Sequence, residues 1–146
     1  MILPDVNILL YAYRADTPNH RTIFSWLKSE VGSGLPFGLS DQILAGFLRI
    51  VTHPRIFNPP SPLKSAQKFA DELRGQSNCV QVNPGENQWR IFSELCVKAD
   101  ARGNLLQDAW FAALAMEHGC EWITTDRDYG RFPGLKWRHP LEKGRG

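Results

Sequence analysis

Residues 104–119, NLLQDAWFAALAMEHG, predict an apolar helix that carries a carboxylate on its apolar stripe. Residues three, four and seven apart share one side of a helix, and for Asp108 that side carries Leu105, Phe111, Ala112 and Ala115. An ionised carboxylate in apolar surroundings is costly unless a cation, a hydrogen-bond network or a metal ion compensates it. Because this side of the helix has no obvious basic residue, metal binding is the first hypothesis for Asp108.

The segments around this helix predict an α/β fold. Downstream, residues 121–124 predict a strand, followed by a short helical turn through Arg131 and a last strand at 135–138. Upstream, the sequence predicts strands at 1–3, 35–39 and 79–82 and helices at 6–13, 18–31, 41–52, 63–74 and 86–101. Ser40 is expected to cap one of these helices, and Gly103 to end the last of them. Strands separated by helices indicate a mainly parallel sheet with helices on both faces.

Length and composition fit one globular domain spanning residues 1–146. The chain has a mass of 16.6 kDa, and 42% of its residues are hydrophobic and 22% charged, which is ordinary for a globular protein. A formal net charge of +2 and a pI near 8.5 permit a nucleic-acid partner but do not require one.

The cysteine pattern and the N-terminus indicate a cytosolic protein. Cys79, Cys96 and Cys120 are odd in number and lack metal-ligand spacing, so we expect reduced thiols. The N-terminus has no leader pattern, and no stretch approaches the roughly 20 apolar residues that cross a bilayer.

Four acids are placed to converge from three segments of the chain. Asp5 and Asp126 directly follow predicted strands, Asp108 lies near the start of its helix, and Asp128 lies two residues beyond Asp126. In open parallel sheets, ligands collect beyond the carboxyl ends of the strands. Crowded carboxylates repel one another and persist at neutral pH mainly around a hard cation.

The residue types indicate which cation would be bound. Oxygen-only ligands suit Mg²⁺ or Mn²⁺, while the sequence offers neither a histidine and cysteine set for zinc nor a calcium loop. A carboxylate-bound Mg²⁺ keeps several waters, and one of these can attack a phosphodiester. The chemistry predicted by the acids is therefore that of a metal-dependent nuclease.

Each acid also has a structural interpretation. Asp5 and Asp126 are well placed to be helix N-caps, and Asp128 to be a solvated acid in a first helical turn. Hydrogen bonds from Asn104, Thr124 or Thr125 are an alternative means of satisfying Asp108. Arg49 and Arg127 are candidates for phosphate contacts, although an arginine at a helix end is commonly only solvated.

Three stretches, PDVNILLYAY (4–13), LAGFLRIVTHPRIF (44–57) and NLLQDAWFAALAMEHGCEWITTDRDYGRFPGLKW (104–137), resemble the PIN-domain ribonucleases, and specifically the VapC toxins. The resemblance runs nearly end to end. It implies a three-layer α/β/α domain that cleaves RNA with Mg²⁺ or Mn²⁺, forms a homodimer and is inhibited by a VapB antitoxin. By position it also implies that Asp5, Asp108 and Asp126 bind metal, that Asp128 completes the acidic pocket, and that Asn7 and Thr125 support it.

One position departs from the family pattern. Many members carry a glutamate six residues after a capping Ser or Thr, whereas here Ser40 is followed at that distance by Gly46. Loss of this carboxylate is expected to lower metal affinity or to leave more waters on the ion. Asp41, one turn earlier, is an alternative carboxylate but lies very near the start of the helix.

The sequence leaves alternative functions open. A catalytically weak PIN-like module that acts through complex formation with an antitoxin is favoured by Gly46. A receiver-like phosphotransfer domain also has acids at strand ends, but it needs a lysine directly after a central strand, and no lysine here meets that requirement. For an antitoxin, we expect docking surfaces at Ile23 and Trp26 or around residues 50–57.

Overall fold

The computed structural model describes residues 1–142, in which six α-helices and five short strands alternate. A 3₁₀ helix, Arg127–Arg131, lies between the last two strands. In chain order the elements are β1 (Ile2–Pro4), α1 (Val6–Tyr13), α2 (His20–Gly32), β2 (Phe37–Leu39), α3 (Asp41–Val51), α4 (Leu63–Arg74), β3 (Cys79–Gln81), α5 (Gln88–Lys98), α6 (Asn104–Glu117), β4 (Glu121–Ile123) and β5 (Trp137–Arg138).

The strands form one parallel sheet in the order β3-β2-β1-β4-β5. Chain order runs outward from β1 to β3 on one side and then returns to β4 on the other side of β1. Right-handed crossovers therefore place α1–α4 on one face and α5 and α6 on the other, in agreement with the packing of α1 on α2 and α3 and of α5 on α6. The predicted parallel sheet with helices on both faces is confirmed, and the architecture is a three-layer α/β/α fold.

This topology creates a switch point between β1 and β4. The two strands pair in register, with Leu3 opposite Trp122 and Pro4 opposite Ile123. Open α/β sheets bind ligands where the chain leaves neighbouring strands in opposite directions. The residues that follow β1 and β4 are therefore the ones that the fold brings to a crevice.

Small residues let α6 pack closely on the sheet. Residues 111–115 of this helix are buried, and the Phe111 ring stacks on fully buried Trp122 with centroids 5.7 Å apart. Asp108, one turn earlier, is carried to the edge of this packed face. The apolar run that defines the helix thus also fixes where its carboxylate lies.

Two helix boundaries differ from the sequence prediction for local backbone reasons. The second helix begins at His20 rather than at residue 18, because Asn19 adopts a left-handed conformation with φ of 59°. The prediction that Gly103 ends α5 was wrong, since α5 ends at Lys98 and Asp100 adopts the left-handed conformation with φ of 47°. Gly103, with φ of 57° and ψ of −126°, instead precedes α6, and glycine adopts such backbone angles with little steric cost.

One expected docking residue is part of the core. Ile23 is 1% exposed, so it offers no surface to a partner. Trp26 is half-buried, and the Arg138 guanidinium lies 5.9 Å from its ring centroid. In the 50–57 segment, Ile56 is exposed as expected. None of the helices within residues 1–142 combines the length and the apolar character required to cross a membrane.

Candidate active site

Asp5 is a buried carboxylate at the end of β1. Its backbone N–H donates to the Ile123 carbonyl (2.8 Å), which ties it to β4. Its side chain caps α1 by accepting from the Val6 N–H at Oδ1 (2.6 Å), and it accepts from the Thr124 hydroxyl at Oδ2 (2.7 Å). Asp5 is 7% exposed. The capping contact predicted from the sequence is present, and the hydrogen bond from Thr124 is a second contact that capping does not require.

Burial raises the pKa of Asp5 to about 6, because the charged form loses water. The hydrogen bonds from Thr124 and Val6 oppose this shift, whereas the negative charges of Asp108 and Asp126 add to it. Asp5 is therefore electrostatically coupled to two acids that are distant in sequence. A cation bound beside Asp5 would offset both the desolvation cost of its charged form and its repulsion by Asp108 and Asp126.

Thr124 is the hydrogen-bonding centre of the site. Its buried hydroxyl donates to Asp5 and accepts from the Asn7 amide (3.3 Å) and from the Asp126 N–H (3.0 Å). Thr125 was the expected supporting residue, but the hydroxyl that contacts Asp5 belongs to Thr124. Thr125 contributes only its backbone N–H, which donates to Asn7 Oδ1 (3.5 Å). Side chains alternate across a strand, and this alternation decides which of the two threonines faces Asp5.

Asp108 faces the same cleft from α6 and is half-buried. Its hydrogen-bond partner is the hydroxyl of Tyr129, which donates to Oδ1 over 3.3 Å. Neither Thr124 nor Thr125 satisfies it, contrary to one alternative drawn from sequence. Burial raises the pKa of Asp108, and repulsion from Asp126 adds to the increase.

Sequence analysis did not identify Tyr129 as part of the site. Its ring is 2% exposed and packs against Trp122 (5.3 Å between centroids) and Phe132 (5.9 Å), while its hydroxyl reaches the cleft. Burial raises the pKa of this phenol, and the neighbouring carboxylates Asp5 and Asp108 raise it further. The hydroxyl is therefore a neutral donor. The feature of the sequence that could have identified Tyr129 is its position just after Asp126 and Asp128.

Asp126 and Asp128 lie at the 3₁₀ helix that follows β4. The Asp126 side chain caps this helix by accepting from the Asp128 N–H (2.9 Å), and its charge raises the pKa of both Asp5 and Asp108. Asp128 is exposed, and it lies 3.9 Å from the Arg131 guanidinium. Asp126 is thus part of the acidic group, whereas Asp128 has the position expected of a solvated first-turn acid.

Asp5 and Asp108 share an open cleft of about 300 Å³. Its other lining residues are Val6, Gly46, Arg49, Ile50, Asn104, Gln107, Phe111 and Tyr129. Asp5 comes from β1 and Asp108 from α6, so folding brings together acids that are remote in the chain. Both carboxylates thus line one cleft, and their role as metal ligands stays a prediction.

The donor set fits a hard divalent cation. Each oxygen of Asp5 accepts one hydrogen bond and keeps a further lone pair, and the site offers carboxylate oxygens without sulfur or imidazole. Across residues 1–142, no three acidic, histidine or cysteine side chains are close enough together to hold one metal ion. The arrangement therefore suits an ion of the Mg²⁺ type, which is bound by one or two carboxylates and keeps several waters.

Gly46 lies in the wall of this cleft on α3. A Cβ at this position would lie 3.2 Å from Val6 Cγ2, which is a close contact. Asp41 does not replace the missing carboxylate, because it pairs with Arg74 (3.0 Å) and does not line the cleft. Asp41 therefore does not supply the carboxylate that is missing at Gly46.

Comparison with known proteins agrees with this geometry. The PIN domain family matches residues 2–135. Ribonuclease VapC43 of Mycobacterium tuberculosis is 39% identical over 142 residues, which cover 97% of each protein. Ribonuclease VapC25 of the same species is also 39% identical, over 140 residues that cover 96% of this chain and 99% of the relative.

Two solved structures with a similar fold are of VapBC complexes. The VapBC2 complex of Rickettsia felis, bound to a DNA fragment from its promoter, contains a chain that matches with a TM-score of 0.67 at 16% identity, covering 95% of this chain and 98% of that one. A chain of VapBC-1 from nontypeable Haemophilus influenzae matches with a TM-score of 0.68 at 17% identity, covering 97% and 100%. At these identities the structures support the fold, and the sequence relatives support the family. The chain belongs to the PIN-domain family and, within it, to the VapC ribonucleases.

Proposed function

We propose that this protein is the ribonuclease toxin of a toxin–antitoxin pair and cleaves RNA phosphodiesters with the aid of Mg²⁺ or Mn²⁺. Its membership of the VapC ribonucleases supports the activity and the substrate class. The observation that carries the metal dependence is the cleft shared by buried Asp5 and half-buried Asp108. The two carboxylates repel each other there, and a bound cation would offset this repulsion.

Asp5 and Asp108 would be the principal metal ligands. Both have carboxylate oxygens free to accept a cation, and both line the cleft. Asp126 would act through a bound water, because within residues 1–142 no three acidic side chains lie close enough together to hold one ion and its side chain already accepts from the Asp128 N–H. Asp128 would contribute negative charge from the rim of the site rather than a ligand.

A bound Mg²⁺ would lower the pKa of a coordinated water and neutralise charge on the scissile phosphate. The residues of this chain do the positioning. Thr124 holds Asp5 through Oδ2, and Asn7 in turn contacts Thr124. The Tyr129 hydroxyl fixes one oxygen of Asp108, and buried Trp122 and Phe132 fix the Tyr129 ring. Such supporting contacts hold ligands in the geometry that the ion requires.

Cleavage of RNA by purified protein in Mg²⁺, Mn²⁺ or EDTA tests the proposal. The parent is compared with Asp5→Asn and Asp108→Asn, which keep the size of the side chain but remove its charge. Asp71→Asn is a matched control, because Asp71 is exposed on α4 and does not line the cleft. We expect metal-dependent cleavage by the parent and the control, and a loss of at least a hundredfold in each site variant.

Folding must be measured in the same samples. Circular dichroism and thermal unfolding establish whether each variant keeps the fold, and Mg²⁺ titration measures metal binding without substrate. Folded site variants that cleave as fast as the parent would refute the proposed metal site. RNA cleavage by the parent in EDTA would refute the metal dependence while leaving the nuclease activity intact.

A second candidate function is a catalytically weak module that acts through complex formation with an antitoxin. Gly46 favours it, because the cleft lacks a carboxylate at this position of its wall. A folded parent protein that binds neither Mg²⁺ nor Mn²⁺ and cleaves no RNA would support this candidate over the first.

Partners follow from the same assignment. We propose RNA as the substrate, a VapB-type antitoxin as the inhibitor and a homodimer as the assembly. Because Ile23 is buried, exposed Phe24 on α2 is a better antitoxin contact on this helix. It lines a groove of about 280 Å³ between α2 and α4, together with half-buried Phe69. Light scattering of the purified protein tests the dimer.

A further inference from the structure

The cleft contains one basic side chain, Arg49, among the residues that line it. Arg49 lies in the last turn of α3 and is exposed. It is three residues after Gly46, so the two share one side of the helix. The side of α3 that lacks the family's carboxylate therefore presents a guanidinium to the same cleft as Asp5 and Asp108.

Arg49 has no ion-pair partner within the described part of the chain. Most arginines there lie beside an acid, as Arg74 does with Asp41 and Arg127 with Glu142. Arg21, Arg49 and Arg55 do not, and of these three only Arg49 lines the cleft. Arg127, the other candidate for a phosphate contact, pairs with Glu142 and is not a lining residue. A guanidinium in an acidic cleft thus keeps its hydrogen-bonding capacity free.

We propose that Arg49 binds a phosphate of the RNA strand that enters this cleft. The inference rests on the proposed nuclease function, which requires a phosphodiester to lie beside Asp5 and Asp108. Those carboxylates repel a polyanion, so a strand that approaches them needs a compensating cation. An arginine presents two parallel N–H donors that match the oxygens of a phosphate.

This role differs from that of the acids. Arg49 cannot ligate a metal ion, since it has no lone pair to donate while charged. It contacts the backbone and not the bases, so it contributes affinity without sequence preference. Its effect should therefore appear in RNA binding when metal is absent.

The test measures binding of a fluorescent single-stranded RNA in EDTA over a series of salt concentrations. Arg49→Gln removes the charge, Arg49→Lys keeps it without the two-pronged geometry, and Arg21→Gln on α2 is the matched control. We expect Arg49→Gln to weaken binding roughly tenfold. The slope of log affinity against log salt should fall in magnitude by about 0.7, the change for one phosphate contact on a single strand. Arg49→Lys should keep the slope and lose part of the affinity, and Arg21→Gln should match the parent.

Metal binding separates this inference from the proposed function. Mg²⁺ affinity of the free protein should not fall in Arg49→Gln, whereas it should fall in Asp108→Asn. An Arg49→Gln variant with the parental salt slope and affinity would overturn the inference, even if cleavage proved to depend on metal and on Asp108. A reduced slope in a protein that cleaves no RNA would uphold phosphate binding by Arg49 and refute the nuclease.

Discussion

The hydroxyl of Thr124 donates to Oδ2 of Asp5 over 2.7 Å, and the two residues are 119 positions apart in the chain. This bond joins the ends of β1 and β4, the strands on either side of the switch point. It also gives the buried carboxylate a donor that favours its charged form. The site is therefore built on a contact between the first and fourth strands.

Replacing Thr124 with Val should damage the proposed metal site more than the fold. The substitution keeps the branched shape but leaves Oδ2 of Asp5, the Asn7 amide nitrogen and the Asp126 N–H each without the hydrogen bond that Thr124 supplies. We expect Mg²⁺ affinity to fall by about 10- to 100-fold, as is usual when a contact that supports a ligand is lost. Isothermal titration with Mg²⁺ or Mn²⁺ measures the change.

Thr125→Val is the matched control for this prediction. The side chain of Thr125 does not contact Asp5, and its backbone N–H survives the substitution. Metal affinity in this variant should stay within about twofold of the parent. An equal loss in both variants would mean that the hydroxyl of Thr124 has no special role.

The stability of the metal-free protein should depend on pH through Asp5. Its pKa in the fold is about 6, above the ordinary value of 3.8. A raised pKa contributes stability that is fully present below pH 3.8 and is lost as the pH rises through 6. In EDTA, the free energy of unfolding of the parent, compared with Asp5→Asn, should fall by on the order of 1 kcal/mol between pH 5 and pH 7.5.

Bound Mg²⁺ should reverse the pH dependence of stability that Asp5 causes. Mg²⁺ binds the ionised carboxylate, so protons and the ion compete below pH 6. The increase in melting temperature caused by Mg²⁺ should therefore be larger at pH 7.5 than at pH 5. If melting temperature varied with pH in the same way with and without Mg²⁺, Asp5 would not bind the ion.

Tyr129→Phe should weaken metal binding with little effect on folding. It removes the hydroxyl that donates to Asp108 and leaves the ring packed against Trp122 and Phe132. We expect a loss of several-fold in Mg²⁺ affinity and a melting temperature within a few degrees of the parent. Leu73→Ala on α4, which disturbs buried packing away from the cleft, should show the opposite pattern.

The sequence predicted the parallel sheet with helices on both faces, because the alternation of strands and helices is visible in local residue patterns. It also placed Asp5 directly after a strand and Asp108 near the start of a helix, and both residues line one cleft in the structure. The partners of these acids were harder to predict. Whether Thr124 or Thr125 faces Asp5 depends on where β4 ends, and one residue reverses the side. Tyr129 was missed because burial of its ring depends on Trp122 and Phe132, which reach it only in the folded protein.

The absence of a carboxylate at position 46 of α3 leads to the last prediction, that Gly46→Glu strengthens metal binding. The new side chain would enter the cleft that Asp5 and Asp108 line, after Val6 moves by a few tenths of an ångström to accept the Cβ at 3.2 Å. An additional negative ligand should raise Mg²⁺ affinity by about tenfold or more and raise the cleavage rate at low Mg²⁺. Gly46→Gln brings the same bulk without charge, and it should bind Mg²⁺ no better than the parent. A higher Mg²⁺ affinity in both variants would point to helix propensity, since each variant replaces a helical glycine. A higher affinity in neither variant would show that a side chain at this wall of the cleft does not reach the ion.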